Sequence, residues 1–261
     1  MSDLRSHFRT LGIDTDEDLV LALPYTPRHQ RHKVMALAGL AVAFRTIPNA
    51  VSEPPIGEIR LQWQREALDQ TLLGHPPGGH PTLELMAQSG VLSQEIRDCA
   101  EMGIDARARF LYAQSFSSIE ELLATYADAE GWFAVAVLKT LMPYQWCDVD
   151  PDDRINGSSF EVSLKRLMGA YALARWGRSA KLTVSHDLSQ QSVKAVWKKA
   201  RDEFHEQTRA LKWPRRDYAG LVGALSFLCL GQGYAERDPG EPWHVMKRLT
   251  ILRAVLLGSI T

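Results

Sequence analysis

The sequence predicts an all-α, single-domain bundle of helices. Apolar residues recur every three to four positions from end to end, no segment keeps the two-residue alternation of a strand for long, and helix-start signals precede the apolar runs. The 261 residues are 45% apolar and 23% charged, enough for an ordinary globular core. With no internal repeat and no loop long enough to be a linker, one domain over 1–261 is expected.

Taken in order, Thr26-Pro27 reads as an N-cap and a first-turn proline, after which Val34, Leu37, Ala38, Ala41 and Phe44 line one face until Pro48. In "VSEPPIGEIRLQWQREAL", Pro54 and Pro55 break the chain and Ser52 is placed to cap the next helix. On it Ile56, Ile59, Trp63 and Ala67 form the expected apolar face, and Glu58, Gln62, Arg65 and Asp69 a polar stripe. That stripe reads equally as solvated pairing or as a functional edge, with Glu58, Arg60 and Gln62 bordering a cavity or meeting a partner.

Ser118 to Glu121 is a capping box that opens a long, mostly buried helix reaching Pro143. Ser158 to Glu161 repeats the signal, and Gly177 is expected to close that helix in a left-handed conformation. Further helices are expected over 190–211, 216–230 and 243–257, and loops at 74–80 and 147–157.

Most local signatures of chemistry fail on mechanical grounds. "DVDPDDRINGSS" has Asp148, Asp150 and Asp152 at calcium-loop positions, but Asp153 stands where the turn needs Gly, and Ser159 where a bidentate Glu closes the shell. "GQGYAE" from Gly231 lacks the third glycine and the preceding strand of a dinucleotide fingerprint. His29 and His32 have no acid or thiolate visibly paired with them, and His205-Glu206 lacks the second His of a zinc helix. The spacings Asp14/Asp18 and Asp148/Asp152 suit paired carboxylates, yet the first suits a helix start and the second contains Pro151. Neither a GxSxG elbow nor a P-loop occurs. Cys99, Cys147 and Cys229 suggest neither a disulfide framework nor a zinc site.

Charge is divided unevenly. Residues 1–150 hold 12 basic and 20 acidic residues, net −8, and residues 151–261 hold 18 and 11, net +7. A basic C-terminal half suits an anionic head group, an acidic partner or a membrane surface, and no nucleic-acid partner is expected. No secretory pattern and no apolar span near the ~20 residues that cross a bilayer is seen. The expected location is therefore cytoplasmic, or peripheral at the inner membrane.

The segment carrying Val51, Ser52, Glu53, Pro54, Gly57, Glu58, Ile59, Arg60, Leu61, Gln62 and Trp63 resembles the squalene/phytoene synthase family. The resemblance is to a divergent branch that includes mitochondrial complex I assembly proteins. Looser similarity extends through "SSIEELLATYADAEGWFAVAVLKTL" and "LMGAYALARWGRS". It implies the isoprenoid synthase bundle, in which active members join two prenyl diphosphates using Mg²⁺ held by carboxylates on facing helices.

Those carboxylates are absent where the resemblance places them. Arg45, Thr46 and Asn49 occupy the first motif, no Asp or Glu lies between Lys33 and Ser52, and Ala172, Arg175, Arg178 and Ser179 occupy the second. A non-catalytic assembly or scaffolding protein is the expectation, with no cofactor. Arg45, Arg175 and Arg178 become candidates for holding an anion or diphosphate, and the partner is expected to be a protein, an isoprenoid or another lipid-like ligand. The alternative is an active head-to-head prenyltransferase, for which Mg²⁺ would be required.

Overall fold

The computed structural model describes residues 2–112, 115–142, 151–177, 183–184, 189–210, 215–238 and 243–260. Arg178, Ser179, Cys147, Asp148 and Asp150 lie outside the described residues. Helices dominate, and the described strands are one short parallel pairing, Ser115–Phe116 (β1) with Thr183–Val184 (β2).

Helix α1 (Ser2–Thr10) and the short α2 (Glu17–Ala22) precede α3 (Arg31–Thr46), which is buried without a break from Val34 to Val42. A helix apolar all round belongs inside a bundle. It starts later than Thr26-Pro27 suggested, because Thr26 closes a preceding 3₁₀ turn and residues 28–30 form a turn. After α4 (Pro54–Leu72), α5 (Pro81–Ser89) and α6 (Gln94–Tyr112) comes α7 (Ile119–Leu141), buried continuously from Ala129 to Leu138. Ser118 caps it by accepting from the Glu121 N–H at 3.1 Å. The Glu121 carboxylate accepts from the Ser117 N–H at 2.8 Å, one residue before the partner a strict capping box would use.

Helix α8 (Pro151–Ala172) corrects two readings: it begins at Pro151, so Ser158 and Ser159 are interior, and Asp152 is helical. Proline is well suited to a first helical position, where its missing N–H has no partner to lose. The chain continues into a π-helical turn, Leu173–Gly177, and Gly177 is not among the glycines with positive φ. Its value there is lack of bulk, since a Cβ would meet Leu173 Cδ1 at 2.7 Å. Helices α9 (Gln190–Ala210), α10 (Arg215–Leu225), α11 (Gly231–Glu236) and α12 (His244–Leu257) complete the bundle. The predicted 216–230 helix is α10 followed by a 3₁₀ stretch to Leu230.

Helix α4 also departs from its expected face. It buries Gly57, Leu61, Gln64, Ala67, Leu68 and Thr71, while Ile56, Ile59 and Trp63 are exposed. Both stripes have helical spacing, so periodicity alone could not choose between them. The choice is made by Gly57, where a Cβ would overlap the Leu111 side chain of α6. Glu53, not Ser52, is the N-cap residue, without a side-chain bond.

Helices α7 and α8 meet through two glycines placed reciprocally. Gly131 lies against the Lys165 backbone, with a Cβ to carbonyl oxygen distance of 3.0 Å, and Gly169 against the Ala127 Cα at 2.7 Å. Such contacts leave no room for a methyl group without moving a helix. Gly169→Ala is expected to destabilise the protein by about 1–3 kcal/mol through overpacking. Gly78→Ala, with open space around it, should stay within about 0.5 kcal/mol. Urea unfolding of both variants measures the contrast.

Candidate functional site

Where α2, α3, α6, α7, the end of α8, α11 and α12 converge, the structure buries a cluster of charged side chains. Arg45, near the C-terminal end of α3, donates from Nε and Nη2 to the two oxygens of Glu130 on α7, at 2.9 and 2.7 Å. Its Nη1 reaches Asp16 Oδ2 at 2.6 Å. Asp16 is also the N-cap of α2, accepting from the Asp18 and Leu19 backbone N–H groups, so one carboxylate fixes a helix start and a salt bridge. Arg107 of α6 contacts Glu130 as well.

Arg175 lies in the π turn, donating to Asp16 Oδ1 and to the Tyr171 hydroxyl at 2.8 and 2.9 Å. The Tyr171 and Tyr234 hydroxyls donate to Asp18 Oδ2 at 2.6 and 2.7 Å. Lys247 of α12 reaches Glu17 at 2.8 Å and Asp18 at 3.0 Å. Trp176 stacks with both arginines, 4.3 Å from the Arg45 guanidinium carbon and 4.8 Å from that of Arg175. Wide π turns re-aim the side chains they carry, and here Arg175 and Trp176 are adjacent in that turn.

Burial raises the Asp16 carboxyl, but Arg175, Arg45 and their hydrogen bonds outweigh it and hold Asp16 below its ordinary value. Burial and the neighbouring Arg45 push the Arg107 guanidinium down to about 9, still cationic at neutral pH. Burial keeps the Tyr171 phenol protonated, as its donation to Asp18 requires. Burial would lower Lys247, yet Asp18 and Glu17 raise it overall. Four carboxylates, Asp16, Glu17, Asp18 and Glu130, thus face four cations, Arg45, Arg107, Arg175 and Lys247.

Of the arginines singled out in the sequence, the structure joins Arg45 and Arg175 and pairs each with carboxylates. Asp16, Asp18, Arg107, Glu130 and Lys247 were missed. The signal for Arg107 was its place on the stripe Ala100, Gly103, Ile104, Arg107, and for Glu130 its position in the apolar run "ADAEGWFAVAV". A charge on a buried face demands an opposite charge. Asp18 was read as a dipole-compatible acid, but it is 0% exposed.

The motif residues lie elsewhere. Gly57 packs on Leu111, Glu58 interacts with Tyr112, and Trp63 sits 5.5 Å from the His80 ring. Gln62 donates to Glu66 at 3.0 Å, and Glu53 and Arg60 are exposed. Within the polar stripe, Arg65 reaches Glu101 and Asp105 of α6, and Asp69 meets Arg97, so it binds two helices together. Cys99 and Cys229 are free thiols pushed by burial to about 11 and about 12, in keeping with apolar packing.

An all-α bundle with a charged cluster at its centre is the architecture of this chain. Residues 14–130 match the family model described as Squalene/phytoene synthase. No curated protein matches the chain.

The carboxylates here do not fit the Mg²⁺ ions that the family's fold implies. Asp16, Asp18 and Glu130 are each engaged by arginine or lysine, and the described residues contain no group of three or more His, Cys, Asp or Glu arranged to hold a metal. A divalent ion would have to displace buried guanidinium or ammonium groups.

Arg45→Met is expected to cost about 3–5 kcal/mol, because it removes three charge-assisted hydrogen bonds and leaves buried Glu130 only Arg107 and buried Asp16 only Arg175 as ion-pair partners. Urea denaturation at neutral pH measures it. A second outcome concerns acid. With its folded-state pKa lowered from an unfolded value of about 3.9, Asp16 stabilises the fold above about pH 4, and this is lost as pH falls through the lower folded value. Asp16→Asn should therefore flatten the acid limb of the urea midpoint against pH.

Proposed function

We propose that this chain is a non-catalytic squalene/phytoene synthase-type protein acting in assembly or scaffolding, with assembly of respiratory complex I as the process its sequence resemblance suggests. The carrying observation is the charge balance of the central cluster. Ionising a prenyl diphosphate requires surplus positive charge at the leaving group, supplied by metal ions or unpaired cations. Here Arg45 and Arg175 already satisfy Asp16, Asp18 and Glu130. An entering diphosphate would have to break these ion pairs and leave buried carboxylates uncompensated, which is strongly unfavourable.

A scaffolding role also needs an outward surface. The exposed Ile56, Ile59 and Trp63, interspersed with Glu58, Arg60 and Gln62 on α4, offer a partner an apolar ridge with polar edges. Under this reading the task of the bundle is to hold that helix in place.

The purified chain, incubated with farnesyl or geranylgeranyl diphosphate and Mg²⁺, is expected to release no pyrophosphate and form no condensed hydrocarbon. Deletion of its gene should lower complex I activity while leaving carotenoid and hopanoid content unchanged. Pyrophosphate release with a condensed product would instead establish a head-to-head prenyltransferase.

A further inference from the structure

Helix α12 is amphipathic in an inverted sense: a charge faces the protein and apolar residues face out. Its buried positions are Lys247, Ile251 and Ala254. Lys247 fixes the rotation of the helix by its ion pairs to Glu17 and Asp18. As a consequence Val245 (71% exposed), Met246, Leu249, Leu252, Leu256 (75%) and Leu257 are turned outward.

At about 100° per residue, Val245, Leu249, Leu252 and Leu256 fall within an arc of about 60°, with Arg248 and Arg253 about 40° beyond its two edges. Both arginines are exposed, and neither Asp nor Glu occurs from Trp243 to Thr261. An apolar ridge flanked on both sides by cations has the pattern of a helix that lies in the plane of an anionic lipid surface.

We propose that α12 docks this protein onto an anionic bilayer, with Val245, Leu249, Leu252 and Leu256 entering the acyl boundary and Arg248 and Arg253 meeting lipid phosphates. Charge favours lipid over a second copy of the chain. In a parallel or an antiparallel pair, each side of the contact would gather an arginine from both copies, with no acid on the helix to offset them. A single large apolar ridge of this kind is also unusual on a surface that meets only water. The one helical run long and apolar enough to cross a membrane among the described residues, Tyr218–Glu236, is 67% buried, whereas the apolar ridge of α12 faces outward. This docking is independent of whether the central cluster is catalytic.

Flotation of the full chain with vesicles tests it, comparing phosphatidylcholine alone with phosphatidylcholine plus phosphatidylglycerol at low and high salt. The wild type should float with the anionic vesicles, less at high salt. Leu249→Ser/Leu256→Ser should abolish flotation. Arg248→Gln/Arg253→Gln should weaken the partition coefficient about thirtyfold, from roughly fivefold per basic residue. All four positions are exposed, so unchanged thermal melts show the variants folded. The proposal is overturned if the wild type does not float, floats equally with neutral vesicles, or forms a dimer that Leu249→Ser/Leu256→Ser dissociates, and also if either variant floats like wild type.

Discussion

The structure depends on the Arg45 guanidinium held between Asp16 and Glu130. One planar side chain ties the N-cap of α2 to α3 and to the middle of α7, a helix buried continuously from Ala129 to Leu138. Removing three such charges from water costs several kcal/mol each, a cost offset only by near-ideal geometry and complete pairing. Both conditions are met: Glu130 receives a two-pronged contact, and the oxygens of Asp16 are divided between Arg45, Arg175 and the backbone of α2. The same interaction that holds the helices in register therefore uses up the charges a diphosphate or metal ion would need. Stability and the proposed loss of catalysis have one physical origin.

The bundle lets these groups meet by making its central helices approach closely. Gly131 and Gly169 draw α7 and α8 together, and Gly103 seats the Trp132 indole between α6 and α7. Close approach of backbones leaves little solvent around the cluster, which strengthens each ion pair and makes an unmatched charge more costly. The π turn after α8 then places Arg175 and Trp176 over the same point. Packing and electrostatics meet here in sequence as well as in space, because Gly131 follows Glu130 on α7 and Gly103 lies one turn before Arg107 on α6.

The part of the sequence that most resembles the squalene/phytoene synthases has a structural task of its own. In "VSEPPIGEIRLQW", Pro54 and Pro55 begin α4, Gly57 seats it on α6, and Leu61 enters the core. The polar residues of the helix divide between bridging α4 to α6, as Arg65 and Asp69 do, and facing outward, as Glu58 and Arg60 do. A resemblance concentrated in such a segment reports the fold strongly and the chemistry weakly.

The sequence alone determined the helical class, the approximate span of the long central helix from Ser118, and the lack of any Asp or Glu between Lys33 and Ser52. These are properties of local spacing and residue type, which a linear reading preserves. It could not determine which of two equally periodic faces α4 buries, that α8 starts at Pro151, or that Lys247 turns inward and leaves an apolar ridge on α12. Nor could it join Asp18 to Tyr234 or Arg45 to Glu130, separated by 216 and 85 residues. Only the tertiary structure decided these, because a buried charge selects its partner by distance in space, and that distance is set by how closely the helices pack.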